Sequence, residues 1–203
     1  MRFGVLGAAR IAPAALIRPA AVIDGVEIAA VAARDRRRAE AFAARHGIGT
    51  VHDSYAGLVA DPSLDSVYIP LPNGLHAEWT IRALRAGVPV LCEKPLTGSV
   101  ADTEQVLGVA RETGTPLWEA FAFPFHDQMK RVAALLADGV IGDLREIQSS
   151  FHFILAHREG NIRMSPALAG GALNDVGCYP VRLARDLFAA EHTSAMCPVI
   201  VNV

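Results

Sequence analysis

Lysine occurs only twice in this chain, at Lys94 and Lys130, and every other cationic residue outside histidine is arginine. An amine has a tunable pKa and a guanidinium does not, so a lysine kept in an arginine-rich chain is a candidate for chemistry. Lys94 stands in Glu93-Lys94-Pro95, directly after the apolar run Pro89 to Cys92. A second candidate lies in Gly170-Gly171-Ala172-Leu173-Asn174-Asp175-Val176-Gly177-Cys178-Tyr179-Pro180. If that segment is helical, Asp175 and Tyr179 are four apart and share a face. Taken alone, Tyr179 reads more readily as a core tyrosine. Pro180 cannot sit comfortably inside a helix, so a kink or a restart is expected there.

A third candidate is the turn Gly7-Ala8-Ala9-Arg10-Ile11-Ala12, where Gly7, Ala9 and Ala12 occupy the positions of a G-x-G-x-x-G pattern. Such a turn presents backbone N–H groups and a helix N-terminus to a pyrophosphate. Alone it is as readily an ordinary small-residue turn. At the end of the next apolar run, Arg34 is followed by Asp35, Arg36, Arg37 and Arg38. A carboxylate in that place binds a ribose 2′-hydroxyl, whereas a guanidinium suits a 2′-phosphate. The phosphate reading is favoured for Arg34, and the neighbouring arginines read as a solvated helix start. Asn73 and His76 follow a further apolar run, in Pro70-Leu71-Pro72-Asn73-Gly74-Leu75-His76. Asn73 also reads as a helix cap, and His76 reads equally as a half-buried polar side chain.

The elements that must position these residues follow from periodicity. Arg2 to Leu6 is a short strand that runs into the Gly7 loop, which opens a helix, and Val26 to Ala33 is a second strand. The spacing predicts a helix from about Arg36 to His46, with Ala39, Phe42 and Ala43 on one face and Gly47 as its C-terminal cap. Val67 to Ile69 is a strand stopped by Pro70 and Pro72, and Ala77, Ile81, Leu84 and Val88 give helical spacing around Gly87. Pro89 to Cys92, a helix from about Ser99 to Thr113 and a strand at Pro116 to Trp118 complete the alternation. Strands apolar on both faces and separated by helices predict a covered parallel sheet, an α/β unit over residues 1–122. Its strand C-terminal ends, where open α/β sheets bind ligands, carry the Gly7 turn, Arg34, Asn73, His76 and Lys94.

Beyond residue 122 the pattern changes. Met129, Val132, Ala133 and Leu136 mark an amphipathic helix ended by Gly139. Leu144 to Ile154 alternates, with Ile147, Ser149, Phe151 and Phe153 on one face and Gln148, Ser150 and His152 on the other. That predicts a half-buried antiparallel strand. A helix follows from roughly Gly171 to Ala189, and Met196 to Val203 is apolar.

Composition sets the outer limits. The 203 residues are 52% hydrophobic and 20% charged, which excludes an intrinsically disordered chain. A net charge of −2 offers no basic field for nucleic acid or an anionic membrane surface. The cysteines at 92, 178 and 197 form no C-x-x-C pair, so neither a disulfide framework nor a structural zinc site is expected, and a reducing cytoplasm is the default. Arg10, Arg18, Asp24 and Glu27 interrupt any secretory h-region at the start.

Together, the segments GVLGAARIAP, VAARD, IPLPNGLHAEW, VLCEKPL, WEAFAFPF and GGALNDVGCYP resemble the Gfo/Idh/MocA oxidoreductases, in the family's order from residue 1 to about 190. The look is nearest to the NADP-dependent branch of dimeric dihydrodiol dehydrogenase and xylose dehydrogenase. The resemblance implies an N-terminal Rossmann dinucleotide-binding domain over 1–122 and an α+β open-sheet domain over 123–203. It implies hydride transfer between NADP, or in a second reading NAD, and a CH–OH group of a sugar or cyclic diol. By the same resemblance Lys94 and Tyr179 are the catalytic pair and Asp175 and His76 face the substrate. Gly7, Ala9, Arg10 and Ile11 would hold the pyrophosphate, and Arg34 and Arg38 the 2′-phosphate. Leu71, Pro72, Asn73, His76, Glu93 and Lys94 would line the nicotinamide half, and Pro95 would follow a cis peptide. Phe121, Phe123, His157 and Arg163 are pocket candidates.

A phenol with a pKa near 10 is a poor base at neutrality, and a nearby ammonium lowers that value. The expectation is therefore that Lys94 tunes Tyr179, the general acid/base. Measured against the family pattern the chain looks short, so the second domain is expected to be truncated and its dimer-forming sheet incomplete. That leaves a homo-oligomer in doubt and keeps open a dinucleotide-binding module without turnover.

Overall fold

The computed structural model describes residues 1–190. Its strands are β1 (Arg2–Leu6), β2 (Glu27–Ala32), β3 (Thr50–His52), β4 (Ser66–Ile69), β5 (Val90–Glu93) and β6 (Leu117–Ala120). They form one sheet in the order β3-β2-β1-β4-β5-β6, with every neighbouring pair parallel. The order reverses between β1 and β4, and the crevice beyond their C-terminal ends is the topological switch point of a doubly wound sheet.

Uniformly apolar strands are buried on both faces. Leu6, Ala32, Val67, Ile69, Val90 and Cys92 pack with Leu58, Leu84 and Val106 in one cluster. Val5, Val31 and Tyr68, their neighbours along the strands, pack with Leu16 and Ala43 in another. Successive residues point to opposite faces, so a strand with no polar face needs cover on both. That cover comes from α1 (Arg18–Ala20), which a π turn over Pro13–Ile17 precedes, and from α2 (Arg36–His46), α3 (Tyr55–Val59), α4 (His76–Arg85) and α5 (Val100–Thr113).

The termini of these helices obey local chemistry. Asp35 Oδ1 accepts from Arg38 N at 3.1 Å, and Gly47 closes α2 in the left-handed conformation, φ +69°. Ser54 and Ser99 cap α3 and α5 in the same way as Asp35 caps α2.

Two elements go beyond the sequence pattern. β3 is three residues long and α3 five, too short for periodicity to mark them. The segment Leu144 to Ile154 corrects an expectation in the other direction. It joins no ladder, and Phe151, Phe153 and Ile154 are 47%, 50% and 94% exposed. Alternation marks which side chains share a face, but a strand exists only where a neighbour takes its N–H and C=O groups. No strand among the described residues pairs with it.

Later elements are α6 (Asp127–Ala137), which follows a 3-10 turn over Phe123–Phe125, and α7 (Cys178–Ala190). The restart expected at Pro180 is a π turn over Leu173–Gly177 that hands over to α7. Pro180 is then the third residue of α7, directly after the π turn. The apolar run Met196 to Val203 lies outside the described residues. No helix among the described residues is long and apolar enough to cross a membrane.

Candidate active site

The turn after β1 is built around one glycine. Gly7 has φ +113° and donates its N–H to Ala32 O at 2.7 Å. A Cβ there would meet Leu71 Cδ2 at 3.1 Å, so the loops after β1 and β4 approach closely because the residue is glycine. The N–H groups of Ala9, Arg10 and Ile11 have no acceptor among the described residues, and Arg10 and Ile11 are exposed. Arg38 Nη2 donates to Ala8 O at 3.0 Å and ties α2 to this loop. Beside it a cleft of about 370 Å³ is lined by Ala9, Arg10, Arg38 and Arg45 among others. Arg34, just beyond β2, is exposed.

A second cluster lies beyond β5. The Lys94–Pro95 peptide is cis, as the resemblance implied. Lys94 Nζ donates to Asp175 O at 2.7 Å and lies 3.7 Å from Asp175 Oδ1, with the two side chains only 15% and 17% exposed. The other carboxylate oxygen, Oδ2, accepts from Arg163 Nε at 2.7 Å. The Lys94 ammonium also sits over the Tyr179 ring, 5.0 Å from its centroid. Residues 81 positions apart in the chain are thus brought into one group. The π turn carries Asp175 and the first turn of α7 carries Tyr179.

Aromatic rings enclose the tyrosine. Phe121 and Phe151 meet it edge-on at 5.3 and 5.0 Å, and Phe123 is tilted at 5.8 Å. Burial among them, with Glu93, Cys178 and Asp175 nearby, pushes the Tyr179 phenol up to about 12. The expected lowering by Lys94 is therefore corrected. The ammonium lies over the ring, and desolvation of the phenolate is the largest cause of the shift.

His76 also departs from expectation. Its side chain is fully buried, with Nδ1 2.8 Å from Pro95 O and Nε2 2.8 Å from Leu71 O. A ring with both nitrogens on backbone carbonyls has no atom left for a ligand, so the contacts expected of it with substrate and nicotinamide are replaced by a clamp between the loops after β4 and β5. Burial depresses its pKa, against the pull of the two carbonyls, and in its neutral form the ring carries one N–H and donates to one of the two carbonyls at a time. Asn73 is not the helix cap it resembled, because its Nδ2 donates to Ala169 O at 3.0 Å. Leu71 is buried and Pro72 half-buried in the same loop. Glu93 Oε1 accepts from Tyr68 OH at 2.8 Å, and burial raises its carboxyl pKa.

Two features escaped the sequence reading. Glu119, at the C-terminal end of β6, accepts from Leu96 N at 2.7 Å, and burial raises its pKa as well. Its place at a strand end was the available signal. Ala169 holds φ +52°, and its carbonyl accepts from both Asn73 and Asn174. Arg163, a pocket candidate, pairs with Asp175, whereas His157 stays exposed.

Comparison with known proteins bears on this arrangement. Residues 1–121 match the family model described as "Oxidoreductase family, NAD-binding Rossmann fold" (GFO_IDH_MocA), and residues 129–200 match the GFO/IDH/MocA C-terminal domain. The chain is 47% identical over 185 residues to D-xylose 1-dehydrogenase (NADP(+)) 2 of Haloferax volcanii, covering 91% of this chain and 56% of that protein. It is 36% identical over 165 residues to trans-1,2-dihydrobenzene-1,2-diol dehydrogenase of Mus musculus, covering 81% and 49%. Among solved structures it resembles KijD10, a 3-ketoreductase from Actinomadura kijaniata in complex with NADP and TDP-benzene. That match has a TM-score of 0.85 and 43% identity, and covers 93% of this chain and 57% of the other. The chain spans about half the length of the curated relatives it matches.

Proposed function

The chain belongs to the GFO/IDH/MocA family of oxidoreductases, and from that premise we propose that it serves an NADP-dependent oxidoreductase acting on a sugar or cyclic diol at a CH–OH/C=O carbon. Residues 1–122 hold the nucleotide in this reading, residues 123–203 contribute Asp175 and Tyr179, and the cytoplasm is its compartment. One observation carries it above the others: Lys94 and Tyr179 meet in a half-closed aromatic setting beyond β5, on the sheet edge that also bears the Gly7 turn.

The chain's own groups fit the nucleotide. The unpaired N–H groups of Ala9, Arg10 and Ile11, beside a glycine with no room for a side chain, suit a pyrophosphate. Exposed Arg34 suits a 2′-phosphate, with Arg38 steadying the loop. When bound, the nicotinamide supplies the hydride chemistry.

At the reacting carbon, Tyr179 donates its proton from Oη to the carbonyl oxygen in reduction and takes it back from the hydroxyl in oxidation. The Lys94 ammonium stabilises the oxygen as negative charge develops on it. Phe121, Phe123 and Phe151 keep water from the phenol.

Titration of the purified protein with NADPH and with NADH, followed by nicotinamide fluorescence, tests the nucleotide half. Tight NADPH and weak NADH binding is expected, and binding of neither to folded protein overturns the assignment. Tyr179→Phe should leave NADPH affinity nearly unchanged and lower turnover about 10²- to 10⁴-fold. Turnover that survives the substitution removes Tyr179 from the reaction.

A further inference from the structure

Three carboxylates surround the Lys94 ammonium: Glu93, Glu119 and Asp175. Tyr179 and Cys178 face it as well, while Arg182, which neighbours Glu119, is bound to both oxygens of Asp186 at 2.7 and 2.8 Å. Two of the three carboxylates are anchored to the sheet edge. Glu93 takes Tyr68 OH and Lys94 N, and Glu119 takes Leu96 N. Asp175 differs. Its side chain has one anchor of its own, Arg163 Nε at 2.7 Å, while Lys94 Nζ bonds its main-chain oxygen and stays 3.7 Å from Oδ1.

We propose that Arg163 is a positioning residue that holds the Asp175 carboxylate off Lys94. Without it the carboxylate is free to close the remaining ångström or so and form a direct charge-assisted bond. The ammonium would then be spent on Asp175 instead of the reacting oxygen. Arg163 is itself fixed for this task. It lies in the 3-10 turn Ile162–Met164, its N–H donates to Asn161 Oδ1 at 3.1 Å, and its carbonyl accepts from Gly171 N at 2.8 Å. A Cβ at Gly170 would come within 2.6 Å of that carbonyl, and the guanidinium lies 5.7 Å over the Phe153 ring. The proposal rests on Lys94 being the cation at the reacting carbon, but its test does not require turnover.

With two lysines in the chain, ¹³C-lysine labelling gives two side-chain Cε–Hε signals, from Lys94 and Lys130. Arg163→Met should move the Lys94 signal and leave Lys130, which pairs with Asp127, in place. Arg163→Lys, whose added third signal is identified by its absence from the other variants, should return the Lys94 signal toward the parent position. In an Asp175→Asn background, Arg163→Met should add no further movement, because no carboxylate remains to close on the amine. An unmoved Lys94 signal, or equal movement with and without Asp175, overturns the proposal. Arg163 is 43% exposed, and Arg163→Gln replaces the methionine variant if the latter does not fold. Failure of the oxidoreductase reading would show separately, as absence of NADPH binding.

Discussion

Up to Phe121 the chain is held by apolar side chains buried on both faces of one sheet, whereas beyond it only Pro124 and Leu187 among the described residues are buried apolar side chains. No residue of α6 is buried. The later segment is instead fastened to the sheet edge by polar and backbone contacts. Asn73 and Asn174 converge on Ala169 O, and Lys94 holds Asp175 O. Gly74 and Gly98 let the backbone at Leu168 and Ala169 come close. The two candidate catalytic groups fall on either side of this division, Lys94 at the end of a core strand and Tyr179 on α7. The site is therefore expected to come apart more easily than the sheet that supports half of it.

The sharpest way to break this contrast is to delete matched apolar volume on both sides. Leu84→Ala should cost about 2–5 kcal/mol of unfolding free energy, because Leu84 is fully buried between sheet and helices. Leu136→Ala, on half-buried α6 surface, should cost under about 1 kcal/mol. Chemical denaturation measures both, and equal losses would erase the distinction.

Next in size is Gly98→Ala, whose new methyl would lie 2.4 Å from Ala169 Cβ. Overpacking there should cost about 1–3 kcal/mol. It should act on the docked segment, seen as faster proteolysis between residues 155 and 171 with the sheet intact. Asn73→Ala removes one bond to Ala169 O and should loosen the same segment by about 1 kcal/mol.

The mildest perturbation is pH. The fold depresses the pKa of His76, so the unfolded chain takes up the proton first. The stability that neutral His76 contributes is present above about pH 6.5 and is lost as pH falls through its depressed folded value. Thermal melts at pH 7.5 and 5.5 should show a smaller acid loss in His76→Gln than in the parent. An identical loss would separate the loop clamp from this titration.

These contrasts explain how much was legible beforehand. The uniformly apolar strands, Asp35 and Gly47 at the ends of α2, and the phosphate-type turn at Gly7 are local signals, and local chemistry settles them. The meeting of Lys94 with Asp175 and Tyr179 was legible only through the family resemblance of two short motifs. The Leu144 to Ile154 alternation misled because a ladder is a property of two segments. The Tyr179 pKa could not be read from Lys94 alone, since Phe121, Phe123 and Phe151 set its desolvation. Nor does anything near Asn73 announce a carbonyl 96 residues away.

The sheet order has a consequence for how the molecule is made. Each strand after β1 is laid beside one already synthesised: β2, β3, β5 and β6 beside the strand just before them, and β4 beside β1. By the time Ala120 has left the ribosome, every rung of the sheet has both partners. The scaffold can then close while α6 and α7 are still being translated. On that order Lys94 waits on a finished surface, and the nascent chain delivers Asp175 and Tyr179 to it.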